Sequence, residues 1–306
     1  MPNTPFENIH ALDFLKRQGI FITNNKKESD VIVASRVMDL SPFSLRKKLL
    51  VWTHEPRFDT HFRNKIDLYK IIQDIHIMNA YTGDIYLNNY TLYGNVIDKP
   101  IELLDSNNFK EFKSKRIVIL ASCGKKSNKL VRNGVDIDLS YLRSKIAIAG
   151  YKLGKIDICG PNWPPKIKVI ENSRSGDGHS RKIEILKKYH FNLCFENTNI
   201  GYYCTEKIWD SITGGCLPIY YGKGNKIYED FPENGFLDYS NFRNSYQLFE
   251  YIDNMEVDEF RGRMNLCIGV YNKMIEKKER KELDRNYETL LMNIVHKLTQ
   301  ITKKTQ

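Results

Sequence analysis

Short apolar runs alternate along the chain with longer amphipathic stretches. "DVIVAS" (30–35), "KLLVWT" (48–53) and "DIHIMN" (74–79) are rich in Val, Ile and Leu, too short for stable helices and bounded by polar residues, which predicts strands. "HALDFLKRQG" (10–19) predicts a helix ended by Gly19. A second series opens with the strand "KRIVILAS" (115–122), followed by a helix over 138–154 and the strand "KIDICG" (155–160). It continues with a helix near 181–188, the strand "FNLCF" (191–195), a helix from 205, the strand "LPIYY" (217–221) and "GFLDYSNF" (235–242). Strand–helix–strand alternation predicts an α/β fold whose parallel sheets are buried on both faces. Ligands in such folds sit beyond the carboxyl ends of the strands. The polar segment "DSNNFKEFKSK" (105–115) separates the two series and reads as a connector helix or linker, while "NSRSGDGHSRK" (172–182) reads as an exposed loop.

The tail has a different pattern. Leu283, Tyr287, Leu290, Leu291, Ile294, Val295, Leu298 and Ile301 fall on one helical stripe, and Lys, Arg and Glu crowd the other face. The stripe suits a helix packed on the body of the protein; its alternative use is as a basic helix lying on a membrane surface. Glu and Asp dilute the basic face, which favours packing. Elsewhere no window approaches the ~18 apolar residues of a membrane span, and the N-terminus lacks a basic leader. The expectation is a cytoplasmic chain, soluble or peripheral on the inner face of the membrane.

Net charge is +10 over 306 residues, which fits nucleic acid, an anionic membrane face or a phosphate-bearing small molecule as partner. The six cysteines form no CxxC pair and no zinc spacing, and several sit in apolar runs, which reads as buried free thiols in a reducing compartment.

One dipeptide narrows the choice. In "YCTEKIW" (203–209), Glu206 and Lys207 stand side by side at a helix start, where they are poorly placed to pair with each other. Thr205 is suited to the N-cap, so both would occupy the first turn, with its unpaired N–H groups and positive dipole end. Such a turn attracts phosphate, Lys207 adds a point charge, and the Glu206 carboxylate can accept two hydrogen bonds from a ribose diol. The plain alternative for Glu206 is dipole compensation.

The surroundings extend this reading. "YHFNLCFENTNIGYYCTEKIWDSITGGCLPIYYG" (189–222) resembles the signature of the α1,3/4-fucosyltransferases of glycosyltransferase family 10. "VWTHEPRF" (51–58), "YTGDIYLNNYTLYG" (81–94), "ILASCG" (119–124) and "PENGFLDYSNF" (232–242) resemble further segments of that family, so the likeness runs over about residues 48–252. The resemblance implies a GT-B fold, with two Rossmann-like domains facing across a cleft and a final helix crossing back to the first. The expected boundaries are 1–112 for the acceptor-binding domain, 113–270 for the donor-binding domain and 271–306 for a basic amphipathic C-terminal helix.

It also implies an inverting transfer from GDP-fucose to an N-acetyllactosamine-type acceptor. A base must take the acceptor proton and positive charge must meet the departing diphosphate. By the resemblance Glu55 is the base, with His54 as its neighbouring competitor; without it, Glu55 reads as a loop residue paired to Arg57. Lys207 and Arg143 meet the diphosphate, with Arg132 as alternative to Arg143. Glu206 holds the ribose, Asn197 and Tyr203 lie near the nucleotide, and Glu196 binds the sugar or serves the architecture. "DID" (136–138) is a literal Asp-x-Asp, but it stands where a helix begins and reads as dipole compensation, so no metal and no cofactor beyond the donor is expected. Two rivals remain: a GT-B enzyme for another nucleotide sugar, and a non-catalytic basic protein binding nucleic acid or anionic membrane.

Overall fold

The computed structural model describes residues 4–40, 47–55, 63, 65–67, 74–91, 99–171 and 178–303. It divides into two compact units, one of residues 1–87 with 281–306 and one of residues 88–280.

In the first unit, helix α1 (Ile9–Arg17) precedes strand β1 (Val31–Ala34), helix α2 (Val37–Leu40) and strands β2 (Lys48–Thr53), β3 (Lys65–Asp67) and β4 (Asp74–Asn79). The sheet order is β1-β2-β4-β3. The three strands expected from their apolar runs are mutually parallel, with Val33 opposite Leu50 and Val51 opposite Ile77. The short β3 is an unforeseen antiparallel edge against β4. Leu49, Val51, Ile75 and Ile77 form the core beneath α2, together with Val37 and Leu40.

The second unit holds β5 (Ile117–Leu120), a hairpin of β6 (Val131–Arg132) and β7 (Val135–Asp136), and α3 (Leu139–Lys152). It continues with β8 (Ile156–Cys159), α4 (Gly178–Leu186), β9 (Phe191–Leu193), α5 (Glu206–Thr213), β10 (Leu217–Tyr220) and β11 (Leu237–Asp238). Helices α6 (Ser245–Asn254) and α7 (Val257–Glu279), which the apolar pattern did not reveal, complete it. Its main sheet is wholly parallel, in the order β11-β10-β9-β5-β8. The order reverses between β5 and β9, so the crevice beyond their carboxyl ends is the topological switch point where doubly wound sheets bind ligands. All six cysteines are free thiols, and all but Cys123 are buried.

The units divide after Leu87 and after Arg280, where the sequence suggested 112 and 270. Two asparagines of α7 explain the first shift. Asn272 pairs with both backbone groups of Ile101, at 2.9 and 2.8 Å, and Asn265 does the same for Leu104, at 2.7 and 2.8 Å. Phe109 then stacks on Phe260 with centroids 4.8 Å apart. The segment 105–115 forms no helix; it is fastened to the second unit rather than lying between the two.

The tail is also two helices, not one running through 271–306. Helix α7 stops at Glu279, and α8 (Glu282–Thr302) starts after Lys281, whose φ of 57° is left-handed and cannot continue a right-handed helix. Helix α8 packs on α1 and β1, which returns the chain to the first unit. Leu283, Leu290, Leu291, Ile294, Leu298 and Ile301 are buried in that packing, so the stripe a membrane-surface helix would need is already covered. Among the described residues no helix is long and apolar enough to cross a membrane.

Ile294 is fully buried while Met292 is 45% exposed. Ile294→Ala should therefore lower stability by about 2–5 kcal/mol in urea unfolding, and Met292→Ala by less than about 0.5 kcal/mol. Equal effects would contradict the packing of α8.

Candidate functional site

Beyond the carboxyl end of β9 the chain runs through Cys194–Phe195–Glu196–Asn197. Glu196 is 3% exposed, and a buried carboxylate must be matched by donors or cations. It accepts hydrogen bonds from Thr205 N at 2.7 Å, Thr205 Oγ1 at 2.8 Å and Lys207 Nζ at 2.9 Å, with the Tyr220 hydroxyl at 3.4 Å. Thr205 stands at the N-cap of α5 as expected, but its side chain makes no capping bond. Its hydroxyl proton goes to Glu196, and its oxygen accepts from Lys207 Nζ at 2.6 Å. The first turn of α5 thus receives no cap from Thr205.

Glu206 and Lys207 diverge to different partners. Lys207 turns inward to Glu196, and Glu206 meets Lys182 of α4 at 3.2 Å, with Lys207 at 3.8 Å. Burial opposes charge on Lys207, yet the carboxylates of Glu196 and Glu206 outweigh it and raise its pKa, so it stays an ammonium. Burial likewise opposes charge on Glu206, but Lys207 and Lys182 overcome it and hold its pKa down at about 2. The dipeptide belongs to an array of alternating charges that links α4, α5 and the end of β9.

Arg143 approaches the same loop from α3. It is 4% exposed and donates to the Phe195 carbonyl and, at 3.1 Å, to Asn197 Oδ1. The Asn197 carbonyl accepts from Leu139 N at 3.1 Å and Ser140 Oγ at 3.3 Å. Arg132 instead lies exposed in β6 of the hairpin. Of the two candidates, Arg143 is the one that reaches 195–197, and its charge bears on Lys207. Tyr203 is buried in the turn that leads into α5, its N–H bonded to the Ile200 carbonyl at 2.9 Å.

The loop after β5 forms the other wall of the crevice. Gly124 N donates to Ser144 Oγ at 2.8 Å, and a Cβ at Gly124 would lie 2.9 Å from the Ser140 carbonyl oxygen, so only glycine allows this loop so close to α3. Asp138 caps α3 by accepting from Ser140 N at 2.9 Å, and also accepts from Asn128 N at 2.8 Å. Asp136 accepts from Asp138 N at 3.0 Å. Asp138 is the helix cap, while Asp136 ends β7 and also accepts from the Ser127 hydroxyl, so only Asp138 serves the helix start. Among the described residues no group of three or more His, Cys, Asp or Glu could hold a metal ion.

Glu55 belongs to the first unit and the other six candidates to the second. Glu55 follows β2, is half-buried, and donates its N–H to Thr53 Oγ1 at 3.1 Å. The neighbouring His54 ring lies 5.5 Å from Trp52 and 6.0 Å from Tyr86. Burial pushes the His54 pKa down to about 4, which makes it a neutral and feeble base near pH 7. Arg57, a candidate partner of Glu55, lies outside the described residues. Lys182 and Asp210, which complete the charge array, carried no sequence signal; their relation appears only once α4 is seen against α5.

Residues 151–263 match the C-terminal region of glycosyltransferase family 10 (fucosyltransferase). That region of the chain is similar to the family 10 fucosyltransferases. An α-(1,3)-fucosyltransferase of Helicobacter pylori is 41% identical over 71 residues, 23% of this chain and 15% of that protein. A putative fucosyltransferase-like protein of Arabidopsis thaliana is 46% identical over 52 residues, 17% of this chain and 10% of that protein. A human 4-galactosyl-N-acetylglucosaminide 3-α-L-fucosyltransferase is 29% identical over 98 residues, 31% of this chain and 27% of that protein. The similar stretches thus span well under two thirds of these relatives' own lengths. A crystal structure of an α1,3-fucosyltransferase aligns over 97% of this chain and 85% of that chain, at 19% identity and a TM-score of 0.47. The matched region contains Glu196, Asn197, Tyr203, Glu206 and Lys207, and it lies within the second of the two α/β units.

The charge array has a titration consequence. The Glu206 pKa falls from the ordinary 4.5 to about 2 in the folded protein, so its stabilising contribution is complete above 4.5 and is lost as pH drops towards 2. Between pH 5 and 2.5, the Tm of the wild type should fall more steeply than that of Glu206→Gln. Parallel curves would remove Glu206 from the array.

Proposed function

We propose that this chain is an inverting fucosyltransferase that moves L-fucose from GDP-β-L-fucose to a GlcNAc hydroxyl of an N-acetyllactosamine-type glycan, forming an α1,3 or α1,4 linkage. The observation that carries the proposal is the Glu196–Thr205–Lys207 network at the switch point, within the region similar to family 10. It fixes an ammonium beside a helix start whose N-cap side chain is turned away. That combination suits a diphosphate. The names of the Helicobacter pylori and human relatives motivate the linkage and the acceptor class.

The chemistry needs one in-line displacement. Glu55 takes the proton from the acceptor hydroxyl, and the acceptor oxygen bonds to fucose C1 as the bond from C1 to the β-phosphate oxygen breaks. The electron pair leaves with GDP. Lys207 and the first-turn N–H groups of α5 stabilise the charge that gathers on the diphosphate. Arg143 adds its charge from beneath 195–197, where it also holds the loop in shape. Glu206 accepts from the ribose, Asn197 and Tyr203 shape the nucleotide pocket, and Glu196 acts through Lys207. With these cations in place the reaction proceeds without a divalent ion, and no nucleic acid is needed as partner.

Turnover of GDP-fucose with a panel of N-acetyllactosamine-type acceptors, with linkage read by NMR, tests the assignment. Glu55→Gln should leave GDP affinity within about twofold while turnover drops at least ~100-fold, as loss of a general base does. Lys207→Ala should weaken GDP binding by at least ~10-fold. Full turnover in Glu55→Gln, or unchanged GDP affinity in Lys207→Ala, would overturn the corresponding role. EDTA should leave turnover intact; strict dependence on added metal would contradict the leaving-group account. Transfer of a different sugar, or salt-sensitive binding to nucleic acid or anionic vesicles without turnover, would favour one of the rival functions.

A further inference from the structure

We propose that Lys182 of α4 is a positioning residue for the donor nucleotide, gripping one oxygen of Glu206 so that the other is presented to the ribose diol. The proposal rests on the reading of Glu206 as the ribose-binding carboxylate. A carboxylate that accepts from two neighbouring hydroxyls must hold one plane, and a glutamate at a half-exposed helix start has rotatable bonds that leave this plane loose. Lys207 cannot supply the restraint, because it is engaged by Glu196 at 2.9 Å and lies 3.8 Å from Glu206. Lys182 is closer, at 3.2 Å, and both ammonium groups reach the same oxygen, Oε1. The Glu206 N–H also donates to the carboxylate, and Oε2 is the oxygen turned from the ammonium groups towards hydroxyls in this reading.

Lys182 also has a second carboxylate of α5 within ion-pair distance. Asp210, whose side chain is only 4% exposed, stands 3.7 Å from Lys182 through Oδ2 and 3.5 Å from His179 Nδ1 through Oδ1. His179 and Lys182 are three apart on α4, and Glu206 and Asp210 four apart on α5, so each pair shares a helix face. The two faces meet because the helices are pressed together at their far ends. A Cβ at Gly214, the C-cap of α5, would come within 2.3 Å of Leu186 Cβ in the last turn of α4. Glycine at that spot sets the helix spacing, and Asp210 then centres Lys182 over Glu206. Lys182 makes no donor contact in this account; it acts through Glu206 and so sets the preference for a nucleotide with an intact diol.

Calorimetric titration with GDP and 2′-deoxy-GDP tests the inference. The wild type should prefer GDP by about tenfold or more. Lys182→Met should weaken GDP binding by about tenfold and leave 2′-deoxy-GDP binding within about twofold, so the preference collapses. Lys182→Arg should restore it, and adding Lys182→Met to Glu206→Gln should cost nothing further. Lys182→Gln serves the same comparison should the methionine variant not fold. If GDP and its 2′-deoxy form weaken equally, or neither weakens, Lys182 has no positioning role, although the donor site stands. If the wild type binds no GDP at all, the donor reading falls and this inference with it.

Discussion

A carboxylate sealed from water at the end of a central strand has to be answered in place, and Glu196 is answered by three donors from one short segment. Thr205 gives it an N–H and a hydroxyl, and Lys207 gives it an ammonium. Removing any one of them would leave charge uncompensated in a low-dielectric setting. The arrangement fixes where α5 begins, because its first residues are tied to the loop after β9. It also decides what the helix start can do, since the hydroxyl that would have capped it is spent on Glu196.

The rest of the second unit supports that point from several sides. Arg143 reaches up from α3 to the Phe195 carbonyl and to Asn197, while the Asn197 carbonyl is tied back to the first turn of α3. Gly124 lets the loop after β5 lie against α3 with no side chain between them. The switch in strand order between β5 and β9 opens the crevice, and these contacts hold its walls. Conservative changes here are therefore not neutral: lysine in place of Arg143 would lose the two-pronged grip on 195–197.

Much of this was legible in the sequence, and the exceptions have definite causes. Short apolar-rich runs gave away β1, β2, β4, β5, β8, β9 and β10, because parallel strands buried on both faces favour apolar side chains. The stripe from Leu283 to Ile301 exposed α8 for the corresponding helical reason. The oddity of Glu206 beside Lys207 pointed to the segment where Glu196, Thr205 and Lys207 meet. Besides β3, α6 and α7, other features escaped. The unit boundary was misplaced because Asn265 and Asn272 pair with the backbone at 101 and 104, a fastening with no local pattern. The tail appeared continuous because nothing in "KERKEL" announces a left-handed Lys281. Thr205 had the right residue type for a cap, but a cap bond is local and Glu196 lies nine positions upstream. Arg143 was preferred to Arg132 from the sequence, and of the two it is Arg143 that bonds to 195–197.

The proposed function requires the start of α5, with Lys207 held by Glu196, to bind guanosine diphosphate in preference to other nucleotides. Its most direct test is thermal unfolding of the wild type in millimolar GDP, UDP, CMP and ADP. A ligand at a hundred times its Kd adds about 2.7 kcal/mol to the folded state, a shift such a scan resolves easily. The account predicts a saturable rise in Tm with GDP well beyond any produced by the other three. No rise with GDP, or an equal rise with all four, would contradict it.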